Sequence, residues 1–252
     1  SASASSAQAT STEGVQIFAA NSLEKALPEV QALYTQQHPD VTFADTQFKA
    51  SGDLVQQIAA DPSQADIFIA ASTGSMDDAE ANIDTTTRND MFVNDLVVVK
   101  AADSDVKIDD LEDVADVDGK IAIGESATVP AGKYANQALA SVDLYDNAEG
   151  DGGEYADSIA SKVVLGDKVG TVANYVSTGD AEIGFVYTSD LYRYKGIKNI
   201  YTVPEEMHKA IIYPGAVLAD STNQDTAKQF LNFCMTDPDA LAVWQDNGFE
   251  LK

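Results

Sequence analysis

Two successive passages from strand into helix, close to the start of the chain, restrict its fold more than any other feature. In Val15 to Val30, VQIFAANSLEKALPEV, an apolar run (Val15, Ile17, Phe18, Ala19) leads through Asn21-Ser22 into Leu23, Ala26, Leu27, Val30 and Leu33 at helical spacing. Ser22 falls where an N-cap belongs, beside the free N–H groups of a helix start, and such a start attracts anions. A lone serine there does no more than cap its helix, but the arrangement repeats. Val41-Thr42-Phe43 reads as a second strand, Lys49-Ala50-Ser51-Gly52 as its loop, and Leu54, Val55 and Ile58 as the next helix, with Ser51 in the role of Ser22. A third strand, Asp66 to Ala70, completes a βαβαβ unit. Parallel sheets of this kind bind ligands in the crevice beyond the carboxyl ends of their strands.

The chain of 252 residues is long enough for one large domain or two lobes. Fifteen Lys and Arg against 41 Asp and Glu leave a formal charge of −26, which excludes nucleic acid as a partner and disfavours an anionic membrane surface. An anion must then be held by local dipoles, because the global field is screened within about 8 Å at physiological ionic strength. No stretch reads as membrane-spanning. Residues 1–13, SASASSAQATSTE, read as a flexible tether left after processing, or as an expression remnant. Cys234 lies in an apolar helical run and reads as a small core residue.

Further along, Asn94 to Lys100 is a continuous apolar strand, expected to be buried on both faces and to cross into a second lobe. A short acidic helix, Ile108 to Val114, opens that lobe. Strand Lys120 to Ile123 then leads to Val129-Pro130-Ala131-Gly132-Lys133-Tyr134, where Pro130 suits the first helical position and Ala131 offers a free N–H. Residues 143–157 form an acidic glycine-rich loop that fails the calcium-loop pattern, because Asp151 and Asp157 stand where Gly and Glu are required. Asp167 is the expected N-cap of a helix whose first turn carries Val169, another backbone donor. Tyr187 ends the strand Glu182 to Tyr187, either as a half-buried core tyrosine or as a phenol in the crevice. Strands Asn199 to Val203 and Ala210 to Leu218 return to the first lobe, helices Thr222 to Met235 and Asp239 to Asn247 finish the chain, and Trp244 is a packing residue. Pro28 is expected to bend the first helix.

These readings predict an α/β chain of two lobes around a cleft: a tether over 1–13, lobe I over 14–95 plus 210–252, and lobe II over 96–209. Signatures of catalysis are absent. His38 and His208, the only histidines, are far apart in sequence, and no G-x-S-x-G, P-loop or paired CxxC pattern occurs.

The stretches Ala19-Ala20-Asn21-Ser22-Leu23, Ala50-Ser51-Gly52, Val129 to Tyr134 and Gly184-Phe185-Val186-Tyr187-Thr188-Ser189-Asp190, in that order, resemble the molybdate-binding proteins of ABC importers. Val203 to Lys209 and Ala65 to Ile69 extend the resemblance over nearly everything after the tail. It implies a type II periplasmic-binding-protein fold holding molybdate or tungstate between the lobes, with no cofactor and no metal–protein bond. Ser22 and Ser51 would each donate a hydroxyl and a backbone N–H, Ala131 and Val169 a backbone N–H, and Tyr187 its phenol. It further implies delivery to a membrane permease of an ABC importer, a monomeric shuttle, and a place outside the cytoplasm, in the periplasm or tethered as a lipoprotein. Three rival readings stay open at this level: the same fold tuned to sulfate or another small anion, a hydrolase with a dispersed triad, and a cell-surface interaction module.

Overall fold

The computed structural model describes residues 14–252, so the expected tether over residues 1–13 lies outside the described residues. Strand β1 (Ile17–Ala20) is buried at every position, as a central strand covered on both faces must be. A 3-10 turn, Asn21–Leu23, separates it from helix α1 (Ala26–Gln37), which turns Ala26, Leu27, Val30 and Tyr34 inward. The bend expected at Pro28 has no cause, because α1 begins only at Ala26. Pro28 therefore sits in the first turn, where a backbone N–H has no intrahelical acceptor to lose.

The second strand is displaced from its expected place. Phe43 makes a single parallel bridge with Val15, and the ladder to β1 runs along β2 (Gln47–Lys49). Val41 and Phe43 are spent on packing, Phe43 with its ring edge-on to Tyr34 and Phe230. The half-polar Gln47-Phe48-Lys49 suits the sheet edge, which has only one side to satisfy. Helix α2 (Ser51–Ala60) and strand β3 (Ile67–Ile69) follow, and β1 pairs parallel with both β2 and β3, completing the βαβαβ unit.

After helix α3 (Thr73–Asp78), strand β4 (Asn89–Asn94) belongs to the first sheet. Strand β5 (Leu96–Ala101), one residue later, belongs to the second, with Leu96 to Val99 completely buried. The expected acidic helix is a 3-10 segment, Leu111–Asp116, closed by a reciprocal capping box between Asp110 and Asp113. The second sheet then gathers β6 (Ile121–Gly124), helix α4 (Pro130–Ser141), helix α5 (Asp157–Ala160), β7 (Val163–Gly166), helix α6 (Val169–Thr178), β8 (Ile183–Tyr187), helix α7 (Asp190–Arg193) and β9 (Ile197–Thr202). The chain returns through β10 (Ile211–Val217), helices α8 (Gln224–Thr236) and α9 (Pro238–Asp246), and a short strand the sequence had not suggested, β11 (Glu250–Leu251).

The sheet orders are β11-β4-β10-β3-β1-β2 and β7-β6-β8-β5-β9. In the first, β10 runs antiparallel to β3 and β4; in the second, β6 is parallel to β7 and β8 while β5 is antiparallel to its neighbours. The result is two mixed sheets flanked by helices, an α/β fold of two lobes. The chain crosses between the sheets at Asp95 and again between Thr202 and Ile211.

Trp244 is fully buried against Phe92 and Phe249, and its indole N–H donates to the Cys234 carbonyl at 2.9 Å. Burial pushes the Cys234 thiol far above its ordinary range, so the residue is an inert part of the core. The acidic loop is held by its own backbone and by α4: Asp146 Oδ1 accepts from Glu154 N–H, and the side-chain amides of Asn136 and Gln137 donate to the carbonyls of Gly150 and Glu149. Among the described residues no group of three or more His, Cys, Asp or Glu is arranged to hold a metal ion, and no helix is long and apolar enough to cross a membrane.

Candidate functional site

Every parallel strand that feeds a helix brings that helix's N-terminus beside the carboxyl edge of its sheet. In this fold the two carboxyl edges face each other. The 3-10 turn after β1 and the start of α2 arrive from the first sheet, the starts of α4 and α6 from the second, and the end of β8 completes the ring. Between them lies a small space lined by Asn21, Ser22, Ser51, Ala131, Val169 and Tyr187, with Ala20, Ala50, Ala71, Val129 and Pro130 filling the remaining wall. All five residues singled out from the sequence are therefore brought together, and none is more than 3% exposed. Larger depressions open elsewhere on the surface, but none of them is lined by any of these five residues.

The local geometry differs from the simple N-cap expected of the serines. Ser22 lies inside the 3-10 turn, Ala20 takes the cap position without a side-chain bond, and Ser22 Oγ stands 2.7 Å from the hydroxyl of Tyr213. Ser51 is the first residue of α2, Ala50 being the cap, and its Oγ accepts from the N–H of Ala71 at 3.0 Å. Accepting from behind leaves the Ser51 hydroxyl hydrogen free to donate into the space. Alanine at both caps is permitted because each hydroxyl is engaged by tertiary partners rather than by its own helix.

In α4, Pro130 holds the first helical position as expected, and the N–H groups of Gly132 and Lys133 turn back to the Val129 carbonyl. The N–H of Ala131 is the first-turn donor left over. In α6 the cap is Lys168, not Asp167, whose carboxylate instead accepts from the Thr171 hydroxyl. Val169 opens the helix, and the next N–H, that of Gly170, donates to Asn21 Oδ1 at 3.0 Å. Tyr187 ends β8 with its backbone N–H given to Asp190 Oδ2 at 2.9 Å, while its hydroxyl is buried with no partner among the described residues. Burial, the dominant cause, holds that phenol well above its ordinary range, so Tyr187 is a neutral donor.

The two halves are closed upon one another by hydrogen bonds that cross between elements of the two sheets. Gly52 N–H donates to Thr128 O at 2.9 Å, and Tyr134 Oη donates to Ala71 O at 3.0 Å. Arg193 donates to Asn21 Oδ1 at 3.0 Å and to Glu24 Oε2 at 3.2 Å. Its charge is also paired with Asp190, a fully buried carboxylate whose pKa burial raises while Arg193 draws it back down. Gly52 is glycine for a steric reason: a Cβ there would stand 2.6 Å from Thr128 Cα, a backbone atom of the other half.

Asn21, Asn94, Tyr213 and Arg193 support the site but were not singled out by sequence reasoning. Tyr213 reads simply as an inward residue of β10, and nothing local to Asn94 or Arg193 signals a partner more than a hundred residues away. Chemically the wall is a set of donors without formal charge. It contains no carboxylate to accept a proton and no histidine beside either serine; Ser22 is engaged by Tyr213 and Ser51 by Ala71, whereas His38 stacks on Tyr34 and His208 meets the edge of Tyr134. Dipoles at several helix starts converging on one small space favour an anion without supplying a counter-charge.

Known proteins share this architecture. The molybdate-binding protein ModA of Escherichia coli (strain K12) is 31% identical over 246 residues, covering 94% of this chain and 89% of that protein. The molybdate-binding protein ModA of Haemophilus influenzae is 29% identical over 246 residues, covering 94% and 90%. In fold, the periplasmic molybdate-binding protein of Azotobacter vinelandii superposes with a TM-score of 0.78 at 19% identity, covering 94% of this chain and 99% of that one. A family profile described as bacterial extracellular solute-binding protein matches residues 15–250. With that match spanning both sheets and every wall of the space between them, the chain belongs to the bacterial extracellular solute-binding proteins.

Proposed function

We propose that the protein captures molybdate or tungstate in the space between its lobes and hands it to the membrane permease of an ABC importer. As a member of a solute-binding family the chain is a carrier and not an enzyme. The observation that carries the oxyanion reading is the wall itself: buried hydroxyls and helix-start N–H groups, all neutral, around a space with no charged residue. The space is small, far smaller than a pocket for a drug-sized ligand, so the occupant has few heavy atoms. Ser22, Ser51 and Tyr187 would donate hydroxyls, and Ser22, Ser51, Ala131 and Val169 backbone N–H groups. A fully deprotonated tetrahedral oxyanion offers only acceptors and suits such a set; hydrogenphosphate brings a proton with no carboxylate to receive it.

In this reading residues 14–95 with 210–252 form lobe I and residues 96–209 lobe II. The crossings at Asp95 and at 203–210 are the hinge, and the hydrogen bonds from Gly52, Tyr134, Gly170 and Arg193 hold the closed state. The carrier works outside the cytoplasm as a monomer, free in a periplasm or tethered through residues 1–13, and has no nucleic-acid partner.

Calorimetric and thermal-unfolding titration of dialysed protein with molybdate, tungstate, sulfate and hydrogenphosphate tests it. Ligand at about 1,000 times its dissociation constant adds about 4 kcal/mol to native stability. Stabilisation by molybdate and tungstate alone is expected. Equal stabilisation by sulfate moves the assignment to small oxyanions in general, and no response to any of the four overturns it.

A further inference from the structure

We propose that Asn94 and Tyr213, neither of which lines the pocket, set the direction of the Ser22 hydroxyl and so make it a donor to the bound oxyanion. The inference rests on the oxyanion reading above and adds two positioning residues to it.

The relay begins with Asn94, whose amide orientation is dictated by its neighbours. Its Oδ1 faces the backbone N–H of Asp95 at 3.0 Å and that of Ser189 at 3.4 Å. A backbone N–H only donates, so this side of the amide has to be the oxygen. The nitrogen then faces Ser189 Oγ at 2.9 Å and the Tyr213 hydroxyl at 3.2 Å, and donates to both.

Tyr213 is completely buried, with Phe92, Phe249 and Tyr187 around its ring, so its hydroxyl cannot turn to water. Burial also holds the phenol far above its ordinary range, and it keeps its hydrogen. Having accepted from Asn94, that hydrogen has one remaining acceptor in hydrogen-bond reach, Ser22 Oγ at 2.7 Å. Leaving it unused would bury an unsatisfied donor. Ser22 consequently receives a hydrogen bond from behind. Its own hydrogen cannot point at Tyr213 and turns to the space it shares with Ser51 and Tyr187. Ser51 is oriented in the same sense by the backbone N–H of Ala71, a donor that no side-chain substitution can reverse.

The Ser22 relay can be reversed. Asn94→Asp replaces the donating amide by an acceptor of the same shape, held by the same backbone N–H groups. The Tyr213 hydrogen then goes to the introduced carboxylate, Tyr213 Oη takes the Ser22 hydrogen, and Ser22 presents only lone pairs to the ligand. The added negative charge weakens every dianion, so the test is a double-mutant cycle with Tyr213→Phe, in which the relay is cut but the charge effect persists.

Molybdate affinity is measured by calorimetry for the unsubstituted protein, both single variants and the double variant. Asn94→Asp is expected to weaken molybdate at least roughly tenfold more when Tyr213 is present than in the Tyr213→Phe background. In mildly alkaline buffer, where molybdate and hydrogenphosphate are both dianions, Asn94→Asp is also expected to shift preference toward hydrogenphosphate, and only while Tyr213 is present. A merely structural role moves both anions together.

An equal cost in both backgrounds overturns the relay and leaves the oxyanion site standing. Failure of the unsubstituted protein to bind molybdate overturns the reading beneath it. Neutron diffraction from perdeuterated crystals of the unsubstituted, molybdate-loaded protein decides the matter independently of how the variants fold. A hydrogen on Tyr213 Oη directed at Ser22 supports the proposal, and one on Ser22 Oγ directed at Tyr213 overturns it.

Discussion

The two halves of the pocket wall achieve the same donor character by different means. The half built on the first sheet contributes Ser22 and Ser51, whose hydroxyls are oriented from behind by Tyr213 and by the Ala71 N–H. The half built on the second sheet contributes Ala131 and Val169, whose donors are backbone N–H groups of helix starts, and Tyr187, whose hydroxyl has no hydrogen-bond partner among the described residues. Side-chain donors need supporting partners to choose a direction, whereas backbone donors are aimed by the helix itself. The first half is thus tunable by substitution at sites such as Tyr213 and Asn94; the second is tunable at Tyr187 and through the approach of the helices.

The largest expected effect breaks the meeting of the halves and leaves each intact. Gly52→Val places its side chain against the Thr128 backbone across the cleft, where even a Cβ would stand at 2.6 Å. Overpacking of this kind costs up to about 3 kcal/mol, roughly a hundredfold in affinity. Calorimetry with molybdate should record that loss while the unliganded melting temperature changes little, and small-angle scattering should report a ligand-saturated protein that stays expanded. A compact, tight-binding variant would show that the Gly52–Thr128 contact is not part of closure.

Next come the two hydroxyls that the halves treat differently. Ser51→Ala and Tyr187→Phe should each weaken molybdate binding by about 1 to 3 kcal/mol, the range for hydrogen bonds to charged groups. They should separate in the unliganded protein. Removing Ser51 Oγ leaves the buried Ala71 N–H without its acceptor and lowers stability by about 1 to 3 kcal/mol, whereas removing the Tyr187 hydroxyl, buried with no hydrogen-bond partner among the described residues, should leave stability unchanged or raise it. Chemical denaturation of both variants without ligand checks the contrast. Equal destabilisation would erase the distinction drawn between the halves.

A smaller loss is expected from Asn21→Ala, which removes the acceptor shared by Gly170 and Arg193 across the cleft. These bonds steady closure without being proposed to touch the ligand, so roughly 0.5 to 1.5 kcal/mol of affinity is expected to go, read in calorimetry mainly as faster dissociation.

The smallest expected effect is none. The Tyr187 pKa is raised by burial, so its neutral donor form persists through the pH at which an ordinary phenol ionises. Molybdate affinity should stay flat from neutral pH to about pH 10. A fall with a midpoint near 10 would show a solvated Tyr187 and break its assignment to the dry wall.

Much of this was legible in local sequence because it follows from periodicity. The apolar run of β1, the helical spacing behind Ser22 and Ser51, the Pro130 helix start and the doubly buried β5 are all patterns a few residues long. The strand expected at Val41 to Phe43 went wrong because short apolar runs serve packing as well as pairing, and here Phe43 packs against Tyr34 and Phe230 while Gln47–Lys49 carries the ladder. Pro28 was misread because the 3-10 turn delays α1, and a delay of a few residues changes a helix-interior proline into a first-turn one.

By itself, then, the sequence determined the strand-to-helix passages, the absence of a charged binding motif, and the residue types that could donate to an anion, since these depend on neighbours along the chain. Only the tertiary structure decided that Ser22 and Ser51 are held by Tyr213 and Ala71 rather than by their own helices, and that Gly52 meets Thr128. It also decided that Tyr187 is a dry donor and not a half-exposed core residue. Hydrogen-bond direction, closure and desolvation depend on groups that meet across more than a hundred residues, and no local pattern encodes that distance.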